Sequence, residues 1–147
     1  MNLRKYLLFI FLSLFGLSNF SFAQSSFEPF IINSLPIFSS IEAEGWKIVE
    51  VKMGYTRGKV SVSKTLKEGK TYGFYASGNR KIADIEASIY HIKEDKAKLF
   101  KKEDESGKDA TIIFEVKKTG LYRFYIDVVA FSSENKFGLY NMIFFSK

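Results

Sequence analysis

From Trp46 to the C-terminus the apolar residues of this chain return at every second position, in short runs broken by turn-forming residues. The clearest run is Tyr122, Phe124, Ile126, Val128 and Ala130, alternating with Leu121, Arg123, Tyr125, Asp127 and Val129. A period of two sends successive side chains to opposite faces of an extended chain, so one set meets a core and the other meets water. The same pattern sets Val49, Val51, Met53 and Tyr55 against Glu50, Lys52 and Gly54, and Val60 and Val62 against Ser61 and Ser63. Tyr72, Phe74 and Ala76 share one face of a third strand. Ile85, Ala87 and Ile89 share one face of a fourth, opposite Asp84, Glu86, Ser88 and Tyr90. A short strand is expected near residues 98–101, another at Ile112, Phe114 and Val116, then the run from Tyr122, and a last one over about residues 137–145. About eight short strands with no helices between them predict an all-β, antiparallel sandwich or barrel and argue against a parallel sheet.

The first residues follow a different logic. Arg4 and Lys5 precede an almost wholly apolar stretch from Tyr6 to Leu17, and Ser21-Phe22-Ala23 offers small residues where a signal peptidase requires them. This is the layout of a secretory signal, with cleavage expected before Gln24. As a membrane anchor the apolar stretch falls short of the roughly 20 residues that cross a bilayer. The expected organisation is a signal peptide at residues 1–23, an N-terminal segment at 24–44 and one β domain at 45–147, exported to the periplasm or beyond, with no integral membrane segment after cleavage. Without cysteine there is neither lipid attachment at a thiol nor a disulfide framework. Cleavage removes Arg4 and Lys5 and lowers the formal charge from +6 to +4, too mild and too dispersed for nucleic acid.

Within residues 27–44, Phe27, Phe30, Ile31, Leu35, Phe38 and Ile41 recur at spacings of three and four. Pro36 is tolerated in a first helical turn and disruptive later. The spacing therefore predicts a short helix over residues 35–44, capped by Ser34 and stopped at Gly45, packed on an open end of the sandwich.

The side chains limit the chemistry. His91 is the one histidine, so a cysteine–histidine pair is impossible and a serine triad has a single base to draw on. No G-x-S-x-G elbow surrounds a serine, and a zinc site has too few ligands. Asp84 and Glu86 project together from one strand, and with Asp104 or Glu105 they are the one arrangement to weigh for calcium or for carboxylate catalysis. Lys81 and Lys93 nearby oppose a cation, and a solvated polar strand face is the expected reading. No metal, no cofactor and no enzymatic activity are expected. The mixed-charge run at residues 93–108 reads as a solvated hairpin.

Taken in order, "EGW", "LKEGKTYGFYASG", "ADIEASIY", "DATIIFEVKKTGLYRFYIDV" and "FGLYNMIFF" resemble the pre-peptidase C-terminal type of domain of secreted bacterial proteins. The matching positions are Leu66, Gly69 and Tyr72, then Asp84 and Glu86, then Asp104, then Gly120 and Tyr122, and the resemblance spans roughly residues 45–145. It implies a jelly-roll-like β-sandwich of about eight strands behind a short N-terminal helix. It also implies accessory roles: targeting, binding of polymeric substrates, or support of an attached catalytic domain. No catalytic domain is read in this chain, so the expectation is a free-standing, non-catalytic exported module that binds a polysaccharide or an envelope protein. The alternatives are a structural or chaperone-like envelope factor and, more distantly, a hydrolase. Three aromatics sit on polar strand phases and are the ligand-binding candidates: Tyr75, Tyr90 and Tyr125. Rings displayed together on an open sheet face are suited to stacking on sugars or gripping an extended chain.

Overall fold

The computed structural model of the protein describes residues 28–147, with 104, 133 and 135 excepted. The signal segment, Gln24, Phe27 and Asp104 lie outside the described residues. Among those described, one helix, α1 (Glu28–Ala43), precedes eight strands: β1 (Lys47–Thr56), β2 (Val60–Leu66), β3 (Thr71–Gly78), β4 (Ile82–Lys93), β5 (Lys96–Glu103), β6 (Asp109–Glu115), β7 (Gly120–Phe131) and β8 (Gly138–Ser146). The chain divides between Leu35 and Pro36 into two compact units. Of the first, the described part is the opening half of α1, where the Ser34 hydroxyl donates to the Phe30 carbonyl at 2.9 Å.

The second unit holds two four-stranded antiparallel sheets. Sheet A has the order β1-β8-β3-β6 and sheet B the order β2-β7-β4-β5, which is the jelly-roll arrangement. The predicted inward phases of β3, β4, β6 and β7 supply the layer between the sheets. Phe74, Phe124 and Phe144 meet at its centre, with ring centroids 5.0–5.2 Å apart. Ile82, Ile85, Ile89, Ile112, Ile126 and Met142 surround them, almost fully buried. Tyr122 closes one end: its ring is 2% exposed and its hydroxyl donates to the Lys118 carbonyl at 2.8 Å.

Two expectations are corrected at the N-terminal side. The helix does not begin near Leu35; it starts by Glu28 and runs through Pro36, so Ser34 is an interior residue and not a cap. An interior proline costs a helix about 3 kcal/mol. That cost is offset downstream, where Ile37, Phe38 and Ile41 pack with Trp46, Ile143 and Phe145. This packing covers the outer face of sheet A and not an open end of the sandwich. The helix stops as predicted. Gly45 takes φ of +78°, the Gly45 N–H bonds the Glu42 carbonyl at 2.9 Å and the Trp46 N–H the Ile41 carbonyl at 3.1 Å, a Schellman ending.

β1 is the second correction. Its apolar phase faces outward: Val51, Met53 and Tyr55 register with Ile143, Asn141 and Leu139 on the outer face of sheet A, and Val49, Val51 and Tyr55 are exposed. Its polar phase, Glu50, Lys52 and Gly54, registers with the core residues Phe144, Met142 and Tyr140. The reason is position. β1 and β2 are the edge strands on one side of the two sheets, and the seam between them is closed by an ion pair of Glu50 with Lys64, whose ammonium also lies 4.6 Å from the Phe144 ring centre. Lys64 holds the Glu50 carboxyl below its usual range.

Candidate functional site

Sheet B presents its outer face through the polar phases of β7 and β4, its two central strands. The register lays these residues out in rows. Lys59, just ahead of β2, reaches Asp127 at 3.7 Å; Asp127 lies opposite Glu86; and Glu86 meets Lys102 of β5 at 3.1 Å. Two carboxylates directly opposite on neighbouring strands repel, and a lysine from each flank neutralises them. The next row is Ser61, Tyr125, Ser88 and Lys102, and the one after is Ser63, Arg123, Tyr90 and Leu99. Rows on one face are about 7 Å apart along the strands. Tyr90 and Tyr125 therefore occupy diagonal positions at the middle of the face, and they touch edge to face, with centroids 5.4 Å apart and planes at 83°.

The pair is flanked by polar groups with defined partners. The Lys59 ammonium sits 4.7 Å from the Tyr125 ring centre. Arg123 Nε donates to Ser63 Oγ at 3.1 Å. Leu99 and Leu121 on the same face are 50% and 38% exposed, so among the described residues no element covers it. Aromatic rings, hydroxyls and charged groups on one open sheet provide stacking surface and hydrogen-bonding groups together, which is what recognition of a hydroxylated polymer requires.

The structure thus brings two of the three sequence candidates together and sets the third apart. Tyr75 lies on the outer face of sheet A, opposite Ile143 and Thr111. There it packs against the cluster that the helix residue Ile41 forms with Ile143 and Phe145. A groove of about 410 Å³ beside it is lined by Pro36, Ile41, Trp46, Thr111 and Ile113. Its hydroxyl donates to Asp109 at 3.4 Å. Burial, with the Asp109 charge adding to it against an opposing bond from Ser77, pushes its pKa up to about 12. An unfolded tyrosine ionises near 10. Stability should therefore be intact below about pH 10 and fall as pH rises from about 10 to about 12, because only the unfolded chain releases the proton there. Denaturant unfolding across that interval should show the fall, and Tyr75→Phe should flatten it. Tyr122 is also raised, by burial and by Glu68, so part of the slope should survive in that variant.

Asp84 and Glu86, two of the carboxylates weighed for calcium, have partners of their own. Asp84 sits at a register shift in β4, and its Oδ1 accepts the Gly107 N–H at 2.9 Å. Glu86 belongs to the charged row described above. Among the described residues no group of three or more His, Cys, Asp or Glu stands where it would hold a metal ion. His91 lies two residues before the end of β4, with its ring stacked on Tyr122 at 4.7 Å. Residues 94–103 of the charged run supply the turn and the second strand of the β4–β5 hairpin. Its turn residues Glu94 and Asp95 take φ of 49° and 60°, and Lys101 crosses to the Ile113 carbonyl at 2.7 Å, guarding the edge of β6. Lys59 and Lys102 join this face without a signal in the local sequence. The β7 alternation already set Arg123 beside Tyr125, but the neighbours from β2, β4 and β5 depended on pairing.

No family model and no curated protein matches the chain. Among solved structures, the chain is similar to the periplasmic lysozyme inhibitor of g-type lysozyme from Aeromonas hydrophila (TM-score 0.49, 9% identity, 67% of this chain and 85% of that one). It is also similar to the pre-peptidase C-terminal domain of collagenase from Bacillus anthracis (TM-score 0.49, 14% identity, 65% and 87%). A third is the Yersinia pseudotuberculosis-derived mitogen (TM-score 0.49, 17% identity, 67% and 84%). Likenesses of this degree assign neither a family nor a function. No helix among the described residues is long and apolar enough to cross a membrane.

Proposed function

We propose that this protein is an exported, non-catalytic β-sandwich module of the pre-peptidase C-terminal type, and that it binds an extended glycan on the outer face of sheet B. The observation that carries the proposal is the Tyr90–Tyr125 contact at the middle of a face that no described element covers, ringed by Ser61, Ser63, Ser88 and paired charges. Membership in that domain type is supported by its turn motif. Gly69 N–H bonds the Val116 carbonyl at 2.9 Å and Glu68 N–H bonds Thr119 Oγ1 at 2.9 Å, so the turns before Tyr72 and Tyr122 brace one another. Export rests on the N-terminal basic–apolar–small pattern, with a mature chain beginning at Gln24 and a periplasmic or extracellular destination.

The test is binding of soluble polysaccharides by affinity electrophoresis and calorimetry, with the Tyr90→Ala/Tyr125→Ala double variant beside the parent. An aromatic contact contributes about 0.5–1.5 kcal/mol beyond its buried area, so losing two rings should weaken binding about tenfold or more while the circular dichroism stays unchanged. Binding that survives the double variant in a folded protein removes the face from the proposal. A protein partner lost in that variant, with no glycan bound by the parent, replaces the glycan by an envelope protein. Unaltered behaviour in every assay returns the reading to a structural envelope factor.

A further inference from the structure

The charges on the sheet B face are unevenly committed. Asp127 is engaged by Lys59 and Glu86 by Lys102. Arg123 lies between Ser63 on β2 and Tyr90 on β4, its Nε bonded to the neutral Ser63 hydroxyl at 3.1 Å. Among the described residues no carboxylate pairs with it. A guanidinium is permanently charged and presents parallel N–H donors in a planar fork that matches a carboxylate. Arg123 stands opposite Tyr90 and two residues from Tyr125 on β7, with Nε already turned toward Ser63. Among the described residues the charge not cancelled on this face is thus a single cation, on a chain whose formal charge is +6 and +4 once the signal segment is removed.

We infer that the glycan taken by this face is an acidic one, and that Arg123 reads the carboxylate of a uronic acid residue while Tyr90 and Tyr125 contact the sugar rings. The Lys59–Asp127–Glu86–Lys102 row bounds the site on one side: its two acids are neutralised and so do not repel a polyanion, and its lysines add to the attraction. The inference rests on the glycan-binding reading of the face and adds to it the class of ligand and the residue that selects it.

The experiment compares polygalacturonate, alginate and hyaluronan with the methyl ester of each, which keeps the backbone and removes the charge. Neutral galactan serves as a further control. Calorimetry is run on the parent, Arg123→Met and Arg123→Lys, with melting temperatures confirming the fold. A charge-assisted bond of this kind corresponds to about ten- to a hundredfold in affinity. At least one acid polymer should therefore bind the parent at least tenfold more tightly than its ester. Arg123→Met should erase that preference, and Arg123→Lys should restore only part of it, since an ammonium lacks the fork. Equal binding of acid and ester, a preference that persists in Arg123→Met, or binding of galactan alone overturns the acidic-glycan inference. Each of these leaves the glycan reading standing where Tyr90→Ala/Tyr125→Ala still weakens binding. Binding of none of these polymers overturns both.

Discussion

Phe124→Ala is expected to destabilise the fold by about 3–5 kcal/mol, the range for removing a fully buried phenylalanine. The ring is 1% exposed and is shared by three partners from the opposite sheet: Phe74 at 5.2 Å, Phe144 at 5.0 Å and Phe114 at 6.2 Å. A hollow of about 370 Å³, lined by Val49, Lys64, Leu66, Tyr72 and Phe144, already reaches it from the β1–β2 seam. Truncation would join a new void to that one, and the aromatic neighbours, held by β3, β6 and β8, are not free to collapse into it. Against a typical total stability of about 5–15 kcal/mol, a loss of this size should be plain in a urea titration as a lower midpoint. A change below about 0.5 kcal/mol is the size of an ordinary surface substitution and would remove Phe124 from the centre of the core.

Gly73→Ala is expected to cost about 1–3 kcal/mol, with the opposite sign to the usual effect of such a change. Replacing glycine at a tolerant position stabilises by about 0.4–1 kcal/mol through the unfolded chain. Gly73 is not tolerant, because an added Cβ would fall inside the Phe145 ring, under 3.0 Å from three of its carbons. Gly73 and Phe145 face one another across β3 and β8, and the absent side chain is the space the ring occupies. A methyl group there forces the ring aside, which is the overpacking cost. Phe145 in turn carries Trp46 edge to face at 5.2 Å. The single tryptophan of the chain should therefore report the displacement as an altered near-UV circular dichroism or emission spectrum. Undiminished stability together with an unchanged tryptophan spectrum would refute this account of the outer face of sheet A.

These two residues also mark how far local sequence reaches. The eight strands were legible because a half-buried strand writes its period into its own residues. Tyr122 to Ala130 declares a strand and a buried phase with no knowledge of its neighbours. The stop at Gly45 was legible for the same reason, since a left-handed ending is a local backbone demand met by one residue type. The extension of α1 through Pro36 was not, because local propensity argues against it and the compensating contacts, with Ile143 and Phe145, lie about a hundred residues away in the chain. Nor was the direction of β1, where Val51 and Tyr55 turn outward. Alternation is unchanged when the two faces are exchanged, so it marks two phases without saying which one meets the core. The candidate site follows the same division. That Tyr75, Tyr90 and Tyr125 lie on polar phases was written in the chain. That Tyr90 and Tyr125 meet beside Arg123 while Tyr75 is covered by the helix was decided by the pairing of β4 with β7 and of β3 with β8, because register between distant strands is set by the packing of the whole sandwich and not by any segment of it.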